Sequence, residues 1–207
     1  MHMRMTQIIG ACRSSETDEL QHRVTDCLDA VSSWMTANRL QLNHEKRELL
    51  WCSSAGRQHQ TPSTPVRVGC TSVHPVTSAR NLGIYLDGDV SMRTHVTTTV
   101  RACFAMLRQI RSVRHSLPRP ALLTMLRLLV TNRLDSCCSV MAGAPVLLRR
   151  LQSVLNAAAR LVFPARKFDH TTQLLCELHW LKVPERVRSR LCVLTYHCLN
   201  GTASLPC

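Results

Sequence analysis

The apolar positions of this chain change period near residue 91. Before that point the pattern is mixed. Leu20, Val24, Cys27, Leu28, Val31 and Trp34 recur every three or four residues, which predicts an amphipathic helix. Ser15-Glu16-Thr17-Asp18-Glu19 opens it with hydroxyl caps and first-turn acids, where the helix dipole favours negative charge. It ends near Ala37, with Asn38 as the stop. Residues 40–43 and 48–52 alternate or run apolar over short stretches, as strands do. Residues 53–65 are rich in Ser, Gly, Gln, Thr and Pro and predict an exposed loop. Short strands at 66–69, 73–76 and 81–86 are expected to form a small antiparallel sheet, closed by an Asp87-Gly88-Asp89 turn.

From Ser91 onward the period is helical. Val96, Val100, Cys103, Phe104, Leu107 and Ile110 form one stripe. Pro118 and Pro120 punctuate, and residues 121–141 form a second, very apolar helix. Pro145 suits the first turn of a third, with Leu147, Leu151, Val154, Leu155, Ala158, Leu161 and Val162 on one face. Asp169 is placed to cap a short helix reaching Leu178. Pro184 starts the last, with Val187, Leu191, Leu194 and Cys198 inward and Gly201 as its stop. The expected fold class is α+β, mainly α. One helix and a small antiparallel sheet occupy residues 1–90, and a helical bundle occupies 91–207.

Composition narrows the function classes. No apolar run approaches the roughly 18 residues that cross a bilayer. Ile8-Ile9-Gly10-Ala11-Cys12 is too short for a secretory signal. An intracellular protein, nuclear or cytoplasmic, without a membrane partner is expected. Its eleven cysteines, with no Cys-x-x-Cys, point to reduced thiols rather than a disulfide framework. Cys103, Cys176, Cys192 and Cys198 fall in helical apolar patterns, where cysteine acts as a small hydrophobe.

Charge is the sharper signal. The net +13 lies entirely in residues 91–207, where 17 Lys and Arg meet 4 Asp and Glu; residues 1–90 hold nine of each. A lopsided basic half points to a polyanion partner. Arg101, Arg108 and His115 are seven apart and line one flank of a helix. Arg149, Arg150 and Arg160 share the polar face of the third bundle helix, and Arg186, Arg188 and Arg190 open the last. Solvated helix faces normally mix signs, so these arginines are read as phosphate contacts. Only 4 % of residues are aromatic, which argues against base stacking and for a shape-based grip on a duplex. Trp34 and Trp180 are expected as core anchors. Asp87 and Asp89 could pair on a metal, but Asp-Gly is foremost a turn signal. Cys176, His179, Cys192, His197 and Cys198 lack the spacing of a structural zinc site and are read as helical core thiols and their neighbours.

Several blocks, in order, resemble one family. They are Thr6-Gln7-Ile8-Ile9-Gly10, Trp34-Met35 with Asn38, Leu40 to Lys46, and Asn81-Leu82-Gly83-Ile84 with Asp87. They continue with Arg133-Leu134-Asp135, Leu151-Gln152 with Asn156-Ala157-Ala158-Ala159-Arg160-Leu161-Val162, Leu178-His179-Trp180-Leu181, and Arg186 through Gly201. This series resembles the end of the palm, the thumb and the following helical region of non-LTR (LINE-type) retrotransposon reverse transcriptases. The resemblance implies RNA-directed DNA polymerase ancestry and a template–primer duplex, preferably RNA–DNA hybrid, as partner. It implies Lys46 near an incoming triphosphate and Leu82-Gly83 as the turn that grips the primer end. It also implies Mg²⁺ as the family's cofactor, but Arg4 and Met5 stand where the family carries its paired aspartates. Arginine repels a metal, and a thioether is a poor ligand for hard Mg²⁺. Arg47, Ser136, Cys138 and Lys182 also depart from the family pattern. The expectation is a truncated, catalytically inactive copy that keeps sequence-independent duplex binding, with no catalytic or metal residue of its own. The competing expectation is a helical protein-interaction module, or an unselected product, that self-associates through uncovered palm surfaces.

Overall fold

The computed structural model describes residues 7–40, 47–68, 71–138, 145–163 and 170–201. Arg4, Met5, Lys46 and Asp169, and most of the strand expected at 40–43, lie outside them. The chain divides into two compact units, Met1–Ser91 and Met92–Cys207. The fold is mainly α with a minor β component.

The first unit holds α1 (Thr17–Ala37), entered through a 3₁₀ turn at Ser14–Glu16. Leu20 and Met35 are its buried residues, and it packs on β2 (Val66–Val68). The helix ends in a Schellman motif. Asn38 is the C-cap, Arg39 takes a φ of 55°, and the Leu40 amide donates to the Met35 carbonyl at 2.8 Å. Trp34 is not the core anchor that its spacing implied; it is 61 % exposed. Met35, one position on, is the residue that turns inward. The caps differ too. No side-chain oxygen caps α1; the Glu16 carboxylate instead accepts from the Arg13 amide at 3.3 Å.

The expected single sheet resolves into three two-stranded pairs. β1 (Leu49–Leu50) runs parallel to β4 (Pro75–Val76), and β2 pairs antiparallel with β3 (Thr71–Val73). β5 (Ser78–Asn81) and β6 (Ile84–Asp87) form a hairpin with Asn81 opposite Ile84. The stretch 81–86, expected as one strand, is therefore folded in half. Leu82 and Gly83 form a two-residue turn with φ of 47° and 87°, the sign pattern of type I′. That geometry matches the strands' twist, and only the second residue is one that adopts it freely.

In the second unit, α2 (Arg93–Val113) buries His95, Val96, Val100, Cys103, Leu107 and Ile110. The apolar helix expected at 121–141 is α3 (Arg119–Leu126), a π-helical turn (Arg127–Thr131) and α4 (Asn132–Cys138) in succession. The π turn has a clear packing role. Leu122, Leu126, Val130 and Leu134 are all buried but recur every four residues. In a regular helix such positions drift about 40° per step. A turn of more than four residues takes up that drift and holds the four side chains on one side.

α5 (Pro145–Val162) is the centre of the bundle and packs on α2, α3, α6 (Thr171–Glu177) and α7 (Val183–Leu199). Its buried face carries all seven of the residues assigned to it from the sequence, with Ala159 added. α6 closes with a second Schellman motif. His179 sits at φ 53°, and the Trp180 amide donates to the Leu175 carbonyl at 2.9 Å. Trp180 is buried, as its apolar context implied.

α7 departs most from expectation. Val183 and Val187 are buried, but Leu191, Leu194 and Cys198 are exposed, although they continue the same stripe. Cys192 on α7 and Cys176 on α6 are exposed as well, so of the four helical thiols only Cys103 is a core residue. No helix among the described residues is long and apolar enough to cross a membrane.

His179 offers a direct test of the α6 stop. A β-carbon in the left-handed region costs about 1–2 kcal/mol, which glycine avoids at the expense of a more flexible unfolded chain. His179→Gly is expected to raise unfolding stability by about 0.5–1 kcal/mol in a urea titration followed by circular dichroism. An unchanged or lowered midpoint would show that the imidazole itself holds the turn.

Candidate nucleic-acid interface

α2 has no acidic residue between Arg93 and Val113, and α5 has none between Pro145 and Val162. At 100° per residue, Thr97, Arg101, Phe104, Arg108 and Arg111 fall within about 80° of arc on α2. Arg101, Phe104, Arg108 and Arg111 are exposed. His115, expected to extend the series, sits in the 3₁₀ turn Arg114–Ser116 beyond the helix end. Arg111 takes the place given to it and was missed only because its spacing from Arg108 is three rather than seven.

One hydrogen bond joins the second helix to this stripe. Nη1 of Arg150 donates to Oγ1 of Thr97 at 3.0 Å, across 53 residues of sequence. The Arg150 guanidinium therefore lies one helical turn before Arg101. From Thr97 to Arg111 the stripe extends about 21 Å at 1.5 Å per residue. That is about six base-pair steps of a duplex. No carboxylate on either helix competes for these guanidinium groups.

The other predicted residues separate into distinct roles. Arg149 is exposed on the outer face of α5. Arg160, three turns further along that face, is only half-buried, and its Nε is buried with no hydrogen-bond partner among the described residues. Arg186 is committed internally, its side chain 13 % exposed. Its Nη1 meets Oδ1 of Asp135 at 2.6 Å and its Nε donates to the Leu181 carbonyl at 3.0 Å. Arg190 lies 3.7 Å from the other oxygen of Asp135, while its side chain stays 46 % exposed. Arg188 is exposed. In the first unit, Leu82 and Gly83 form the tip of the β5–β6 hairpin, with Leu82 exposed.

From the sequence alone Asp135, Gln152 and Asn156 carry no role of their own and Arg186 is read as a phosphate contact; the structure gives all four the shared task of holding α7. Gln152 donates to Oδ1 of Asn156 at 2.8 Å and accepts from the Val183 amide at 2.8 Å, which fixes the start of α7 on α5. Asp135 fixes the next turn of α7 on α4. No signal within one sequence shows that residues 51 apart form this pair.

The carboxylates nearest to a metal-like spacing are used by their own turn. Oδ1 of Asp89 accepts from the Ser91 amide at 3.0 Å, and Oδ2 of Asp87 accepts from Oγ of Ser91 at 3.3 Å. The Val90 amide donates to the Asp87 carbonyl at 2.8 Å, so the turn expected at 87–89 is present. Gly88 is required there: a β-carbon would come within 2.9 Å of the Trp51 carbonyl oxygen.

Comparison of the chain with protein-family models, curated proteins and solved structures returned no match.

The Asp135 tie predicts a division of labour among the arginines. Asp135→Ala leaves the largely buried Arg186 guanidinium without its anion and is expected to cost about 1–3 kcal/mol of stability. Arg101→Ala, at an exposed position, should change stability by less than about 0.5 kcal/mol. Parallel urea titrations measure both; equal losses would contradict the assignment.

Proposed function

We propose that the second unit binds duplex nucleic acid, RNA–DNA hybrid foremost, through the phosphate backbone and without choosing a sequence. One observation carries the proposal: the anion-free stripe of Arg101, Arg108 and Arg111, extended by Arg150 at Thr97. Arg149 and Arg188, also exposed, supply further contacts. Arg186 acts by holding α7 in place. The blocks resembling LINE-type reverse transcriptases support the same reading, in which the chain is the end of the palm, the thumb and the following helices of such an enzyme. In that reading Leu82-Gly83 meets the primer end and Lys46 lies near the site of triphosphate entry.

The residues present do not fit the family's pair of magnesium ions. Arginine and methionine at positions 4 and 5 offer no carboxylate, and Asp87 and Asp89 are engaged by Ser91. No chemical step is assigned to this chain. Purified protein should therefore extend no primer on an RNA template with Mg²⁺ or Mn²⁺, and Asp at positions 4 and 5 should not rescue it. Product formation by the unaltered chain would overturn this.

Binding has its own signature. With about five phosphate contacts, log affinity for a duplex should fall against log salt with a slope near −4 to −5. Each of Arg101→Ala and Arg108→Ala should reduce that slope by about 1, equally for unrelated sequences. Fluorescence anisotropy with labelled hybrid, duplex DNA and single strands measures it. An affinity indifferent to salt, or stronger for single strands than for duplex, would remove the proposal.

A further inference from the structure

The distal half of α7 carries an uncovered apolar surface. From Leu191 to Leu199 there is no Asp, Glu, Lys or Arg, and the apolar side chains are between 39 % exposed at Leu191 and 81 % at Leu199. Val187, Leu191, Leu194 and Cys198 are spaced four, three and four apart, the rhythm of a two-helix seam. The seam is continuous with the buried side of the same helix, where Val183 and Val187 pack within the bundle. A helix apolar around its circumference is normally covered.

We propose that this segment pairs antiparallel with the same segment of a second copy of the chain, about a two-fold axis passing near Leu194. The charge distribution selects both the occupant and the direction. Arg188 lies six residues before Leu194, and the C-cap Asn200 lies six residues after it. An antiparallel pair therefore sets each Arg188 beside the other copy's helix end, whose last carbonyls have no partner within the helix. A cation there is favourable, whereas a parallel pair would bring like arginines together. A two-fold pair is self-complementary and closes, so it stops at the dimer. The paired stretch is shorter than a standard interface, so the dimer dissociates on dilution. This is a different surface from the α2–α5 stripe, and it needs no polyanion.

Sedimentation equilibrium of the full chain, freed of nucleic acid by nuclease and kept at about 0.15 M salt, tests it. The expected result is a mass rising with concentration from 23.3 kDa toward twice that value. Leu194→Asp should weaken the dimer by about tenfold or more while leaving circular dichroism and urea unfolding unchanged, since the side chain is half-exposed. Arg188→Glu should weaken it too. A monomer at every concentration would overturn the proposal, and so would a dimer indifferent to Leu194→Asp. Strengthening by Arg188→Glu would overturn the antiparallel arrangement. A monomer that instead sediments with phosphatidylserine vesicles, and loses this with Leu194→Asp, would assign the surface to lipid and overturn pairing.

Discussion

The packing of α5 is the constraint on which the second unit depends. Over residues 92–207 seventeen cations outnumber four anions and repel one another, so the bundle must be held by apolar contact rather than by surface ion pairing. α5 meets that need with an unbroken buried face, in which Leu151, Val154, Leu155, Ala158 and Ala159 are fully enclosed. The small residues at 158 and 159 let neighbouring helices come close, and the leucines fill the layers between them. Burial of this kind contributes on the order of 25 cal/mol per Å² of apolar surface, independent of salt. A basic surface can then be kept for a partner without unfolding the scaffold that carries it.

One of the few anions, Asp135, is placed where cations would otherwise be stranded. Asp135 takes both Arg186 and Arg190, at the junction where α7 crosses α4. Glu185 accepts from the Lys182 amide at 2.9 Å and so closes the first turn of α7. Neither carboxylate lies on α2 or α5. The spatial separation matters more than the ratio of charges. If Asp135 sat on α2, the same composition would give a neutralised stripe with little attraction for phosphate.

Different physical features decided what the sequence could and could not show. The face of α5 was legible because seven apolar residues at helical spacing leave no second solution. Arg101 and Arg108 were legible for the same reason, since one helix fixes their mutual geometry. Features that depend on a neighbour were not. Trp34 and Met35 differ by one position on α1, and which of them turns inward depends on what packs against the helix rather than on its own period. The π turn at Arg127–Thr131 leaves no mark, because apolar residues four apart fit an ordinary helix almost as well. Apolar alternation alone runs one strand through Leu82, whereas the family resemblance marks Leu82-Gly83 as a turn. Arg150 joins the basic stripe through Thr97, and Arg186 is withdrawn from the surface by Asp135; both facts require the tertiary structure.

α7 shows why periodicity and burial are separate statements. The stripe from Val183 through Cys198 follows from the helix repeat alone, so its existence is a property of the sequence. Burial of that stripe requires a second surface of equal length, and among the described residues the helices beside α7 bury only its first turns. An uncovered stretch costs nothing to helix formation itself, because the hydrogen bonds run within the segment. It does leave apolar surface in water, which associating copies would remove. The same helix therefore carries two kinds of surface in sequence. Its first turns are fixed by Asp135, Gln152 and the buried valines, and its last turns carry a repeating seam whose leucines stay exposed.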